Sequence, residues 1–267
     1  MSHFTVLVIG EDLAIQLEPF WELDLPQDVL INDPRAEFNV EIPKSEIAEY
    51  CETKIKKFIE WLSKNDKARV KKYKTFLKDQ DWSGFIDCYH GYDQNENGDY
   101  GYYSNPNAKW DWYMIGGRWS GYFTLKPDKA GIMGKRSLLN ENEVFPENHA
   151  DQARKGDIDW EVMSKNNKES AESDWAEHEK RLGEENYHAY FEYGIRGDES
   201  KESFIARRTS NATFAVLKDG QWYDRGEMGW WATVANEKDT DTWCKEFDKL
   251  VMSLPDDTLL TVVDCHI

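Results

Sequence analysis

Residues 109–121 read Lys-Trp-Asp-Trp-Tyr-Met-Ile-Gly-Gly-Arg-Trp-Ser-Gly and hold the densest concentration of reactive and recognition groups in the chain. Trp110, Trp112, Tyr113 and Trp119 offer faces on which a nucleobase can stack. Arg118 can pair with a phosphate or lie flat on a ring, and Asp111 can accept from a base amino group. Gly116 and Gly117 would let a ligand approach the backbone closely. Together these residues would make a pocket for a nucleotide or a nucleotide-derived signal. The competing reading is structural, because Trp and Tyr supply large apolar area to cores and an Asp–Arg couple often closes an internal ion pair.

Read as a strand, this stretch places Trp110, Trp112 and Met114 on one face and Asp111, Tyr113 and Ile115 on the other. Gly116-Gly117 suits a two-residue hairpin turn, with residues 118–125 returning as the partner strand. On that reading the Trp residues are scaffold, and function belongs to Asp111, Tyr113 and Arg118 beside the glycine pair.

A second constellation depends on how the chain ends meet. Residues 4–9 and 258–266 are both apolar, β-branched runs. If they pair antiparallel, His3 comes near Asp264 and His266, and Cys265 points to the opposite face. Two His and a carboxylate suit a divalent metal with an open position, the alternative being ordinary terminal strand ends. Cys88 and His90 would share a strand face but lack further ligands in sequence. Asp93-x-Asn95-x-Asn97-Gly98-Asp99 starts like a calcium loop, yet its twelfth place is Ser104, so a polar turn between Tyr-rich strands is expected. Gly10 is followed by Glu11 and Asp12, which occupy the place a phosphate would take at a helix N-terminus. No Gly-x-Ser-x-Gly elbow and no protease-like Cys–His pattern occurs, so no catalytic residue is assigned.

The elements that must hold these groups follow from periodicity. Helices are predicted over 13–20, 47–62, 70–77, 147–155, from 157 or 159 to 182, and 240–254. Strands are predicted over 4–9, 84–90, 110–115, 118–125, 187–193, 213–217, 222–224, 230–234 and 258–266. Residues 22–42 read as an irregular connection. The economical arrangement is an α+β fold: a mixed, largely antiparallel sheet containing the N- and C-terminal strands, with helices on one side. No composition shift marks a boundary, so one domain over 1–267 is expected, with a polar helical and loop elaboration at about 126–183.

With 267 residues the chain can bury a sizeable core, and 14% aromatics argue for a folded protein despite 31% charged residues. Asp and Glu outnumber Lys and Arg by 51 to 33, and the net charge of −18 opposes general nucleic-acid binding. It suits solubility, a basic protein partner, or mimicry of nucleic acid. The basic run at 67–78 is expected to be a solvated face. Four Cys without a CxxC pair fit reduced thiols. No apolar run approaches the ~20 residues a membrane span needs, and no basic n-region precedes the first strand.

Several blocks carry a resemblance. Ser-His-Phe-Thr-Val-Leu-Val-Ile at 2–9, the block at 109–119, Asp-Gln-Ala-Arg-Lys-Gly-Asp-Ile-Asp at 151–159, and Leu-Pro-Asp-Asp-Thr-Leu-Leu-Thr-Val-Val-Asp-Cys-His-Ile at 254–267 are similar to a family of small, uncharacterised proteins of tailed bacteriophages and prophages. The resemblance runs from end to end. It implies a phage origin and a bacterial host cytoplasm, and it transfers no catalytic role. The expected function is therefore an accessory protein that acts by binding a host protein or a small nucleotide signal while countering host defence. The alternatives are an acidic mimic that blocks a host nucleic-acid enzyme, and a metal-dependent enzyme on nucleotides using His3, Asp264 and His266.

Overall fold

The computed structural model describes residues 2–137, 145–184, 186–229, 231 and 233–267. Two compact units emerge, Met1–Trp21 with Lys109–Ile267, and Glu22–Ala108 between them in sequence. The composition showed no break at either border.

The first unit begins with β1 (His3–Ile9) and the short α1 (Leu13–Leu17). The second unit contains α2 (Gln27–Leu30), β2 (Glu37–Ile42), α3 (Ile47–Asn65), α4 (Lys67–Asp79), α5 (Trp82–His90), β3 (Asp93–Gln94) and β4 (Tyr100–Ser104). The first unit resumes with β5 (Trp112–Gly117), β6 (Phe123–Thr124), β7 (Lys135–Arg136), β8 (His149–Ala150), β9 (Gln152–Arg154), α6 (Trp160–Arg181), α7 (Ala189–Tyr193) and α8 (Lys201–Thr209). It closes with β10 (Ala215–Lys218), β11 (Gln221–Asp224), β12 (Glu227–Met228), β13 (Val234–Ala235), α9 (Thr240–Met252) and β14 (Leu259–His266).

The expected α+β class holds. A mixed sheet runs β11-β10-β1-β14-β5-β7, with β9 also on β14. β1 is antiparallel to β14 from His3↔His266 to Ile9↔Leu260, and parallel to β10. Both terminal strands sit centrally because both of their faces are apolar, and only a covered position buries both. On one face Leu7, Ile9, Val216, Leu260 and Val262 pack against Trp243, Phe247 and Val251 of α9 and Met163 of α6. On the other, Phe4, Val6, Val8, Leu217, Val263 and Cys265 pack with Leu17 and Trp110.

Several expected elements differ. Residues 84–90 are helical, because Asp81 accepts the amide of Gly84 at 2.9 Å and Gly91 closes the last turn at φ 67°. Residues 187–193 contain the single-turn helix α7, ended by Gly194 at φ 71°. Instead of the helix expected over 147–155 the chain forms β8 and β9, which pair with β6 and β14, so tertiary pairing overrides local propensity. The connection at 22–42 includes β2, which pairs with the Tyr-rich β4. Of the strand expected over 230–234, Val234 opens β13, which pairs with β12, while residues 230 and 232 and part of the loop at 126–146 lie outside the described residues. At the calcium-like segment, the Asn95 Oδ1 accepts the amides of Asn97 and Asp99 at 3.0 Å each, and Asp99 Oδ1 accepts the amide of Lys44 at 2.8 Å. This is the expected polar turn, between β3 and β4.

His149 gives the first unit a pH response. Its Nδ1 is buried without a hydrogen-bond partner among the described residues, and burial holds the imidazole below its ordinary 6.5. A depressed folded value means the stabilising contribution is complete above 6.5 and is lost as pH falls through the folded value. The denaturant midpoint is expected to drop between pH 7.5 and 5.5, and His149→Gln should flatten that drop. An unchanged slope in the variant would assign it elsewhere.

Candidate functional site: two histidine–aspartate pairs beneath an exposed tryptophan

The site lies on the sheet face that carries Leu7 and Val262, at the end where apolar packing stops. The register His3↔His266 on β1–β14 continues as His266↔Trp112 on β14–β5, so the three side chains form one row across three strands. Their rings make a triangle. His3 and His266 centroids are 4.9 Å apart, edge to face; His266 stacks on Trp112 at 5.0 Å and 15°; His3 meets Trp112 edge-on at 5.3 Å. The next row is Thr5↔Asp264↔Met114.

Each imidazole is held by a carboxylate. His3 Nδ1 lies 2.8 Å from Asp264 Oδ1, and His266 Nδ1 lies 2.7 and 2.9 Å from the two Asp111 oxygens. Asp264 is fully buried, and its second oxygen accepts the backbone amide of Arg118 at 3.0 Å. A carboxylate that accepts a hydrogen bond from Nδ1 fixes the ring orientation and leaves Nε2 as the working nitrogen. Neither Nε2 has a partner among the described residues, and the rings are largely covered, with side-chain exposures of 11% for His3 and 6% for His266. Trp112 is 40% exposed over them.

Close approach depends on glycine. A Cβ on Gly117 would lie 2.5 Å from Asp264 Cβ and Oδ2, and a Cβ on Gly116 2.4 Å from Asp151 Oδ2. Both residues have positive φ, 75° and 58° for Gly116 and Gly117. Asp151, fully buried, accepts the amides of Gly121 at 2.6 Å, Tyr122 at 3.3 Å and Gly134 at 2.8 Å, and so ties the loop after β5 to the sheet. Burial raises its carboxyl above the ordinary 3.8, against the opposing pull of those amides.

The two constellations read separately in the sequence are therefore one site. The antiparallel pairing brings His3, Asp264 and His266 together as expected, with Cys265 on the opposite face beside Phe4 and Val263. The metal arrangement is not met: the two Nδ1 atoms face different carboxylates, and among the described residues no three His, Cys, Asp or Glu converge as a metal-holding group. The faces of the aromatic block also change. Strand alternation begins only at Trp112, because the chain bends at Asp111 and Trp110 makes a lone bridge to Trp21. Trp110 is buried with its Nε1 donating to the Leu17 carbonyl at 3.2 Å, whereas Asp111 turns to the Trp112 side. Tyr113 packs edge-on against Trp110 in the opposite core and burial raises its hydroxyl above 10.0; it leaves the site.

Gly116-Gly117 is not a hairpin turn. Both lie in β5, parallel to Lys135 and Arg136 of β7, and the turn follows them, with Trp119 N donating to the Gly116 carbonyl at 3.0 Å. The return strand β6 pairs with β8 instead. Trp119 packs partly buried against the main core, and Arg118 keeps an exposed side chain. Asp151 was missed as a site-supporting residue; its place in the 151–159 block was the only signal. Cys88 and His90 lie on α5, where Cys88 meets Lys72 Nζ at 2.9 Å and His90 meets the Tyr50 hydroxyl at 2.8 Å. No protein-family model matches the chain, and neither does any curated protein or solved structure.

Proposed function

We propose that the chain acts by binding: it captures a small nucleotide at the patch formed by His3, Asp111, Trp112, Arg118, Asp264 and His266. In the setting suggested by its phage-like blocks, this capture would withdraw a nucleotide signal from host antiviral defence. One observation carries the reading. Two imidazoles, each anchored through Nδ1 by its own carboxylate, leave Nε2 without a partner among the described residues beside a half-exposed indole. The indole supplies a stacking surface for a base, the Nε2 atoms donate to phosphate oxygens when protonated, and Arg118 adds a guanidinium from the adjoining turn.

The acidic-mimic reading is less well supported, since it needs one continuous negative face. Instead α6 alternates signs through Lys165–Glu169 and Lys168–Glu172, and α4 presents Lys67, Lys71, Lys74 and Lys78.

Thermal-shift titration with cyclic dinucleotides and ADP-ribose-type nucleotides tests the proposal. A saturable rise in melting temperature is expected with at least one of them. Trp112→Ala should weaken binding about 5- to 100-fold, as loss of one stacking platform does. Arg118→Ala should weaken it and make it less sensitive to salt. No shift with any nucleotide, or unchanged affinity in both variants, would overturn the proposal.

A further inference from the structure

Resting on the nucleotide reading, we infer that His3 and His266 form a general acid–base pair that cleaves a ribonucleotide 3′,5′-phosphodiester of dinucleotide size. The residues at the patch select this chemistry. Its two imidazoles are the groups suited to moving protons near neutral pH, and it presents no serine or cysteine nucleophile. Ser2 donates its hydroxyl to the Gly229 carbonyl at 2.7 Å, and Cys265 faces the opposite core. A site of this kind needs a substrate that carries its own attacking group. A ribose 2′-hydroxyl next to a 3′-phosphodiester is such a group.

The step balances without water, metal or redox partner. One neutral imidazole takes the 2′-hydroxyl proton on Nε2. The 2′-oxygen attacks phosphorus, forming the P–O2′ bond as the P–O5′ bond breaks. The second histidine, protonated, gives its Nε2 proton to the departing O5′. The products are a 2′,3′-cyclic phosphate and a 5′-hydroxyl, and solvent restores the two rings.

The geometry suits the division of labour. Rings 4.9 Å apart and inclined at 76° can address the ribose 2′-oxygen and the departing O5′ from different directions. Asp264 and Asp111 are positioning residues: each engages an imidazole at Nδ1 and so presents Nε2 to the reacting oxygens. Trp112 bridges both rings and would seat the base next to the reacting phosphate. The net charge of −18 favours a small ligand over a long polyanion.

The full chain would be incubated with a 3′,5′-linked cyclic diadenosine monophosphate and with its 2′-deoxy counterpart, following binding by calorimetry and products by chromatography. The ribo form should be linearised to a species ending in a 2′,3′-cyclic phosphate, with a bell-shaped pH–rate profile. The deoxy form should bind with similar affinity and stay intact, a control that is independent of any variant's folding. His3→Gln and His266→Gln should each lower kcat by about 10²- to 10⁴-fold, a larger loss than the weakening of Kd that follows from removing one phosphate donor. Binding without cleavage of the ribo form, or equal cleavage of the deoxy form, would overturn the inference and leave the binding proposal standing. Absence of binding would overturn both.

Discussion

Gly117→Ala is expected to destabilise the protein by about 3–5 kcal/mol and to abolish ligand binding at the ring patch. At φ 58° an alanine costs about 1–2 kcal/mol by itself. The larger effect is displacement. The new methyl would stand 2.5 Å from both Cβ and Oδ2 of Asp264, a fully buried residue with no room to withdraw. Moving that carboxylate breaks its bonds to His3 and to the Arg118 amide, each worth about 1.5–3 kcal/mol when one partner is charged. Urea denaturation reads the stability and calorimetry reads the binding. A variant within 0.5 kcal/mol of the parent would show that Asp264 can be moved freely, and would remove the case for a rigid site.

Asp151→Ala should cost a similar amount, about 3–5 kcal/mol, by another route. Its carboxylate gathers three amides, from Gly121, Tyr122 and Gly134, at zero exposure. Truncation leaves those donors unpaired at about 1–3 kcal/mol each, less whatever water can enter. Asp151→Asn retains one acceptor oxygen and should lose less than half as much. The raised carboxyl value also fixes a sign. Stability from this group is complete below 3.8 and declines as pH rises through the folded value, so Asp151→Asn should lessen that decline. Equal losses in the Ala and Asn variants would show that packing, not amide capture, is what Asp151 contributes.

Both predictions rest on residues whose importance was unevenly legible. The terminal strands were plain in the sequence, because 4–9 and 258–266 are apolar on both faces and have nowhere to go but the middle of a sheet. From their pairing the meeting of His3, Asp264 and His266 followed directly. The hairpin expected over 109–125 does not form, because Gly116-Gly117 satisfies a turn rule equally well when the same positive φ serves close packing against Asp151 and Asp264. Asp111 departs from simple alternation because the chain bends there, with Trp110 buried beside Leu17. Likewise, α5 was hidden by its apolar run, although Asp81 and Gly91 bracket it with ordinary cap chemistry.

The central place of β14 also has a meaning for synthesis. Asp264 and His266 emerge from translation after every other member of the site, and they bring the strand on which β1, β5 and β9 all pair. A chain interrupted anywhere before residue 259 would leave β1 without one neighbour, β5 and β9 without their shared partner, and His3 without its carboxylate. Truncated products should therefore be inert and open to proteolysis rather than partly active. Synthesis of β14 is thus the step that brings the members of the patch together.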